Sequence, residues 1–446
     1  MTSMNKRKPT YLGSAIVVFF AVFPACGSRP GLDPTEDAGT ADAITPMPCG
    51  ETAALQPGAA WPMYMGCPER RSRSAAVGPA TPDKIRYIER DDINWMGINP
   101  VIGAGGTVYI GSFYAYFEGN SMFGPEYCIR RLHAFNQDGT EKWVFESLID
   151  FEEDNYYDPG SGNPPTAITL GIDRIYFVIS RDCGIGHEIG LPAAVMAIDY
   201  EGNEIWSFSV SHDSNPTSIT MDQDGNIYFL DKNFLVSLAP DGIERWSTNI
   251  AVGSGYQFPL LYAQNRIFGG RINTVFSLNT DGDLLWQMEI GDSLTSAMSL
   301  GDNNIIYLTA SVDKVDTLYA LSTEGEILWS QTIGEDSTTS SLAVGPDGII
   351  VGSIANSVYA FSSDGELLWT YEEESARYRK SPVIDGEGTI YAINNSRLNA
   401  IRHDGTLKWE KGGKEIMNIN PTSMLAIGAD GALYANCGNK LCIIEP

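Results

Sequence analysis

Apolar and polar residues alternate along most of this chain in short runs, and turns rich in glycine and aspartate separate them. Residues 381–412 show the pattern most clearly. Pro382, Val383 and Ile384 form an apolar run that stops at Asp385-Gly386-Glu387-Gly388, where glycine supplies the positive φ of a tight turn. Ile390-Tyr391-Ala392-Ile393 follows, then a polar turn at Asn394-Asn395-Ser396, then Leu398-Asn399-Ala400-Ile401, whose alternation directs one face to a core. His403-Asp404-Gly405 is a turn suited to antiparallel neighbours, and Leu407-Lys408-Trp409 begins a fourth strand. The pattern predicts a four-stranded antiparallel meander, with no helical period between one such unit and the next.

The unit repeats. Asp-Gly-x-x-x-Trp or a near copy closes each one, with tryptophans at 143, 206, 246, 286, 329, 369 and 409; from Trp206 onward the spacings are 40, 40, 43, 40 and 40 residues. Four-stranded sheets repeated at this period form the blades of a β-propeller, because radial stacking covers both faces of every sheet and leaves only short edges. Inner strands begin at eight places, among them Asn99-Pro100, Asn215-Pro216-Thr217, Ser381-Pro382 and Asn420-Pro421-Thr422, while only seven strands carry the tryptophan. The last copy ends after three strands, at 424–427, 432–435 and 441–445. Residues 84–89, Lys-Ile-Arg-Tyr-Ile-Glu, have the pattern of the missing outer strand, with Tyr87 in the tryptophan slot. The prediction is an all-β, eight-bladed propeller closed by an N-terminal strand, with seven blades as the fallback. The tryptophans are read as packing between blades, since an indole buries roughly 150–250 Å².

The front of the chain reads as an address. Lys6-Arg7-Lys8, an apolar run from Tyr11 to Phe23 and Pro24-Ala25-Cys26 make a secretion signal too short to span a bilayer as a helix. A cysteine at the cleavage point resembles a bacterial lipoprotein signal, although Phe23 and Pro24 depart from its usual residues. That resemblance implies lipid on Cys26, and Gly27 implies the outer membrane. The expected boundaries are a signal peptide over 1–25, a flexible acidic and proline-rich tether over 26–52 and the propeller over 53–446.

With Cys26 set aside, six cysteines remain, an even number that suits an oxidising compartment. Cys437 and Cys442 straddle a hairpin turn and form the first candidate pair; Cys128 with Cys183 and Cys49 with Cys67 are the others, out of fifteen possible pairings. The formal net charge of −27 becomes about −30 without the three leader bases, which keeps the body soluble and repels phosphate backbones, so nucleic acid is excluded as a partner.

The cassette Ile-Tyr, Tyr-Ala-Leu/Phe, Asp-Gly-x-x-x-Trp, together with Trp61-Pro62-Met63-Tyr64-Met65, Arg70-Arg71-Ser72-Arg73-Ser74 and Gly78-Pro79, resembles the pyrroloquinoline-quinone-like (PQQ-like) β-propeller repeat family from about residue 61 to the C-terminus. The resemblance implies the fold and leaves the activity open, since the family includes quinoprotein dehydrogenases, the lipoprotein of the outer-membrane barrel assembly machinery and other exported proteins. Its dehydrogenase branch implies PQQ, calcium and two adjacent cysteines; this chain has no adjacent cysteines and no Cys-x-x-Cys-His.

Other chemistry is sparse. Asp222 and Asp224 stand as Asp-x-Asp-Gly, which suits a calcium loop, but Asn233 falls where its twelfth-position glutamate belongs, and an ordinary turn between strands is the preferred reading. Of the four histidines, His133 and His403 lie in or beside the repeat pattern, His187 in a glycine-rich insertion, and His212 in a loop before an inner strand. Those pre-inner-strand loops and the axial channel are the expected ligand face, with Trp95, Tyr156, Tyr157, His212, Tyr256, Gln257, Arg377, Arg379 and Asn418 as its candidates. The expected function is a monomeric, non-enzymatic binding or scaffolding module for an envelope protein or glycan, without cofactor and held to the membrane through its lipid alone. Its expected location is the outer membrane, on the periplasmic or cell-surface side. The alternative is a quinone-dependent oxidoreductase using PQQ and calcium.

Overall fold

The computed structural model describes residues 53–90, 95–96, 99–116, 127–150, 165–181, 191–211, 214, 216–250, 257–335, 340–374, 378, 380–394, 397–412, 424–437 and 440–446. They build eight antiparallel sheets. Blades one to seven occupy 95–150, 166–209, 220–249, 261–289, 293–334, 343–372 and 383–412. Blade eight takes three strands from 426–444 and its fourth from Ile85–Glu89. In blades one and five the inner strand is broken into two pieces, Trp95–Met96 with Val101–Ile102 and Ser293–Leu294 with Ser299–Leu300, each pairing with the same second strand. Among the described residues no helix is long and apolar enough to cross a membrane.

The N-terminal strand closes the ring as expected: Ile85–Glu89 runs antiparallel to Lys440–Ile444, with Ile85 opposite Ile444 and Glu89 opposite Lys440. The inner strands of blades one and eight, Val101–Ile102 and Ala426–Ile427, adjoin. One detail of the expectation is corrected. Trp409 pairs with Ala400, which pairs with Tyr391; the corresponding partner of Tyr434 is Ile443, and Ile443 faces Arg86. Arg86 therefore stands in the tryptophan slot, with Tyr87 one position further on, opposite Cys442. In blades one to seven a bulge precedes the tryptophan, as between Ala400 and Ile401, and the pairing of the closing strand runs without one.

The slot matters because its occupant ties each blade to the next. In blades one to six the indole Nε1 donates to the carbonyl just before the glycine turn of the following blade: Trp143 to Tyr200, Trp206 to Pro240, Trp246 to Thr280, Trp286 to Thr323, Trp329 to Ser363 and Trp369 to His403, at 2.7–3.0 Å. Trp409 donates to Pro79, on the approach to the closing strand, at 3.0 Å. Arg86 completes the circle, its guanidinium donating to Gln137 of blade one at 2.6 Å. The turn glycines take φ near +85° and lie flat on these side chains. A Cβ on Gly242 would stand 2.6 Å from the Trp206 ring, and one on Gly139 would stand 3.0 Å from the Arg86 guanidinium. In six of the seven blades the indole also meets the aromatic residue of its own second strand, as in Tyr228 with Trp246 and Tyr391 with Trp409, both at 5.8 Å between ring centres; blade six has Val351 at that position. The motif is thus an inter-blade joint, and the core is a set of apolar clusters lying between successive sheets.

Candidate functional site

A ring of antiparallel blades has two ends. One carries the loops that lead from an outer strand to the next inner strand, together with the turns between second and third strands. The other carries the turns between first and second and between third and fourth strands. They are called here the loop face and the turn face.

The axis at the turn face is occupied by the chain's own N-terminal segment, residues 53–79. Leu55 and Met63 bridge Gly171 and Thr169 of blade two, and Trp61 bridges Ile102 of blade one. The Pro68 carbonyl accepts from Tyr262 of blade four, Glu69 from Leu300 of blade five and Arg71 from Val344 of blade six. Ser72 and Ser74 exchange backbone bonds with Ile384 of blade seven, and the Ala76 carbonyl accepts from Gly386. The strap thus tours the end of the inner strands and leaves past blade eight to become the closing strand. Glycine makes the close passage possible: a Cβ on Gly386 would lie 2.1 Å from the Ala75 carbonyl, and one on Gly78 would lie 2.2 Å from the Tyr391 hydroxyl.

Three arginines of the strap lie inside this end of the ring. Arg70 is fully buried, its Nε donates to the Leu260 carbonyl at 2.8 Å, and it also reaches the carbonyls of Tyr64 and Ile219. Burial pushes its pKa down to about 10, which leaves it charged at neutral pH. Arg73 grips both oxygens of Asp302 at 2.8 and 2.9 Å, and Arg71 bonds the same carboxylate. Partial burial pushes the Asp302 carboxyl up, but the two guanidiniums outweigh it and hold the group below the usual carboxylate range. These residues carried only the family resemblance in the sequence reading. A basic run, Arg70-Arg71-Ser72-Arg73, in a strongly acidic chain was the available signal for a buried anchor.

On the loop face, Gln257 lies beside Arg271, with which it forms a bridge, and donates through Nε2 to the Lys232 carbonyl at 3.3 Å. Arg271 is buried and bonds the Lys232 carbonyl and Asn233 Oδ1, so blades three and four meet through Gln257, Arg271 and the turn at 232–233. Trp95 lies in the first piece of blade one's inner strand, opposite Phe113. Tyr156, Tyr157, His212, Tyr256, Arg377, Arg379 and Asn418 lie outside the described residues. Tyr378, between the last two arginines, is buried and joins a network in which Glu373 Oε2 accepts from Tyr378, Asn394 and Asn399 at 2.8–3.0 Å. That network fastens the end of blade six and the loop after it to blade seven.

Blade one contains an arrangement with the residue types of a hydrolytic triad. His133 Nε2 lies 2.7 Å from Ser112 Oγ, and Nδ1 lies 3.2 Å from Glu141 Oε2. Both Ser112 and His133 are fully buried within the sheet, and burial lowers the His133 pKa to about 4. A nucleophile must reach a substrate and its base must take a proton near the working pH. This trio does neither and serves as a polar tie across the blade.

Asp222 anchors its turn. Its carboxylate accepts from the backbone of Asp224 and Asn226, from the Asn226 amide and, at 2.6 Å, from the Tyr228 hydroxyl. Asp385 and Tyr391 repeat the arrangement in blade seven. Among the described residues no group of three or more His, Cys, Asp or Glu is placed to hold a metal. Cys437 and Cys442 form a disulfide across the C-terminal hairpin. Cys67 is also disulfide-bonded; Cys26, Cys49 and Cys183 lie outside the described residues, and Cys128 lies in the third strand of blade one. A shallow cleft of about 380 Å³ on the turn face is lined by Glu387, Thr389, Arg402, His403, Asp404 and Lys408.

Residues 314–446 match the model of the family described as outer membrane protein assembly factor BamB, whose repeat is the PQQ-like one. No curated protein matches the chain by sequence. Among solved structures, BamB from Moraxella catarrhalis is similar with a TM-score of 0.53 at 15% identity, covering 81% of this chain and 98% of that one. A europium-containing methanol dehydrogenase is similar at 0.57 and 10% identity, covering 85% and 90%. The C-terminal WD40 domain of Sif2 is similar at 0.55 and 14% identity, covering 81% and 98%. At these identities the likeness is one of fold.

Proposed function

From a C-terminal stretch that carries the BamB-type repeat, we propose that this chain is a non-enzymatic binding or scaffolding module of the cell envelope, which engages a protein or glycan partner through the loop face. The observation that carries the reading is the strap. It fills the axis at the turn face with its own backbone and three buried arginines, which makes the ring a rigid platform with the loop face left to vary. The seven indoles of the repeat, on which a quinone site would draw for a stacking floor, are committed to joints between blades. The location that goes with this reading is the outer membrane, with lipid on Cys26 as the anchor.

Two measurements test it together. Immobilised mature protein incubated with envelope extract should recover a defined protein or glycan, and Gln257→Ala with Arg271→Ala should reduce that recovery at least about tenfold. Recovery of nothing above background, combined with stoichiometric uptake of PQQ in the presence of calcium and reduction of a dye, would replace the reading with the oxidoreductase. For the anchor, Cys26→Ser should move the chain from the membrane fraction to the soluble one.

A further inference from the structure

The outer strands of blades four, five and six share a surface that neither the ring nor the loop face explains. In each, the turn before the tryptophan supplies two acids and then two aliphatic residues: Leu284-Leu285, Ile327-Leu328 and Leu367-Leu368. All six side chains are 43–53% exposed. The cause is local. A bulge between Ser277 and Leu278, and its counterparts at Ala320/Leu321 and Ala360/Phe361, add a residue to the outer strand, so that the tryptophan faces the next blade and both preceding side chains face water.

The blades on either side break the pattern with a base, Arg245 in blade three and Lys408 in blade seven. Between them runs an arc of acids and aliphatic residues over three consecutive blades. Arg266 pairs with Glu324 at 2.8 Å, and the other five acids of these turns are exposed. An isolated exposed leucine is ordinary; six in one arc, each beside carboxylates, form a patch of the kind that marks an interaction site.

We propose that this arc docks a cationic polypeptide segment whose basic side chains alternate with apolar ones. Charge complementarity selects the occupant: the carboxylates attract lysine and arginine and repel phosphate-bearing membranes and nucleic acids, and the aliphatic pairs favour a segment that can cover them. The proposal rests on reading the ring as a binding module and adds a second surface, on the perimeter, to the loop face.

The test uses the mature chain and two labelled peptides of equal charge, one alternating lysine with leucine and the other lysine with serine, followed by fluorescence anisotropy. The lysine–leucine peptide should bind at least about tenfold more tightly. Replacing all six aliphatic residues by serine should abolish that preference while leaving circular dichroism and the melting transition in place, and a blade-five variant, Ile327→Ser with Leu328→Ser, should weaken it in part. Equal affinity for the two peptides, or equal binding by wild type and the blade-five variant, would reduce the effect to diffuse attraction by an acidic protein and overturn the proposal. So would stronger binding to anionic phosphatidylglycerol vesicles than to the lysine–leucine peptide. If the six-serine variant still recovers the envelope partner through the loop face while peptide preference was never present, the arc fails and the binding-module reading stands.

Discussion

Arg86 performs at one seam what an indole performs at six. Both are flat groups with an N–H at the edge; both donate to the carbonyl before a turn glycine and lie against that glycine. Arg86 adds an ion pair with Glu445 at 3.1 Å, so the closing seam is partly electrostatic where the other joints are aromatic. Arg86→Ala should therefore lower stability by about 1–3 kcal/mol, and the wild-type seam should weaken with salt more than any other. Denaturation at low and high ionic strength checks both. His133 gives a second residue-scale expectation. Burial holds its pKa near 4, against 6.5 for the free side chain, with Glu141 pulling the other way. The unfolded chain therefore takes up a proton near pH 6.5 that the folded chain accepts only near pH 4. This contribution is constant above the window and lost as pH falls through it, by up to about 3 kcal/mol. In chemical denaturation across pH 7 to 4, His133→Gln should lose less stability than wild type; parallel curves would remove the imidazole from the account.

At the scale of elements, the repeat was legible because its parts are local. Asp-Gly turns, the Ile-Tyr strand and the tryptophan strand each follow from a few adjacent residues, and the structure shows them in order. The tryptophans were expected between blades, and what periodicity could not supply was their partner, because the glycine of one copy meets the tryptophan of the copy before it. Gly242→Ala tests that joint. A methyl group at φ +84° and 2.6 Å from the Trp206 ring should cost about 2–4 kcal/mol, and Trp206 fluorescence should shift toward that of an exposed indole; an unchanged spectrum and midpoint would contradict the packing. The slot of Arg86 was misassigned to Tyr87 for a related reason. Tyr87 is the aromatic residue of that strand, but the bulge that sets the slot in the other copies has no counterpart there. The strap was least legible of all. Residues 53–79 lack periodicity, and their partners are single backbone groups on strands far away in sequence, so only the arginine run hinted at burial.

For the whole molecule, closure and blade number came from counting: eight inner-strand starts, seven tryptophans and one orphan strand upstream. The loop face was identified by position in the repeat rather than by residue chemistry, and of its candidates Gln257, beside Arg271, is the one whose side chain is placed in a hydrogen-bonded joint between blades. The binding reading depends on the strap being as integral to the ring as the blades, because a strap that comes away would open the axis and with it a second kind of site. Hydrogen exchange of the mature protein measures this directly. The amides of Trp61, Ser74 and Gly78, which donate to Ile102, Ile384 and Asp385, should exchange as slowly as those of the inner strands they cross. Exchange of these amides at the rate of an unstructured segment, with the blades still protected, would show an open axis and contradict the sealed ring.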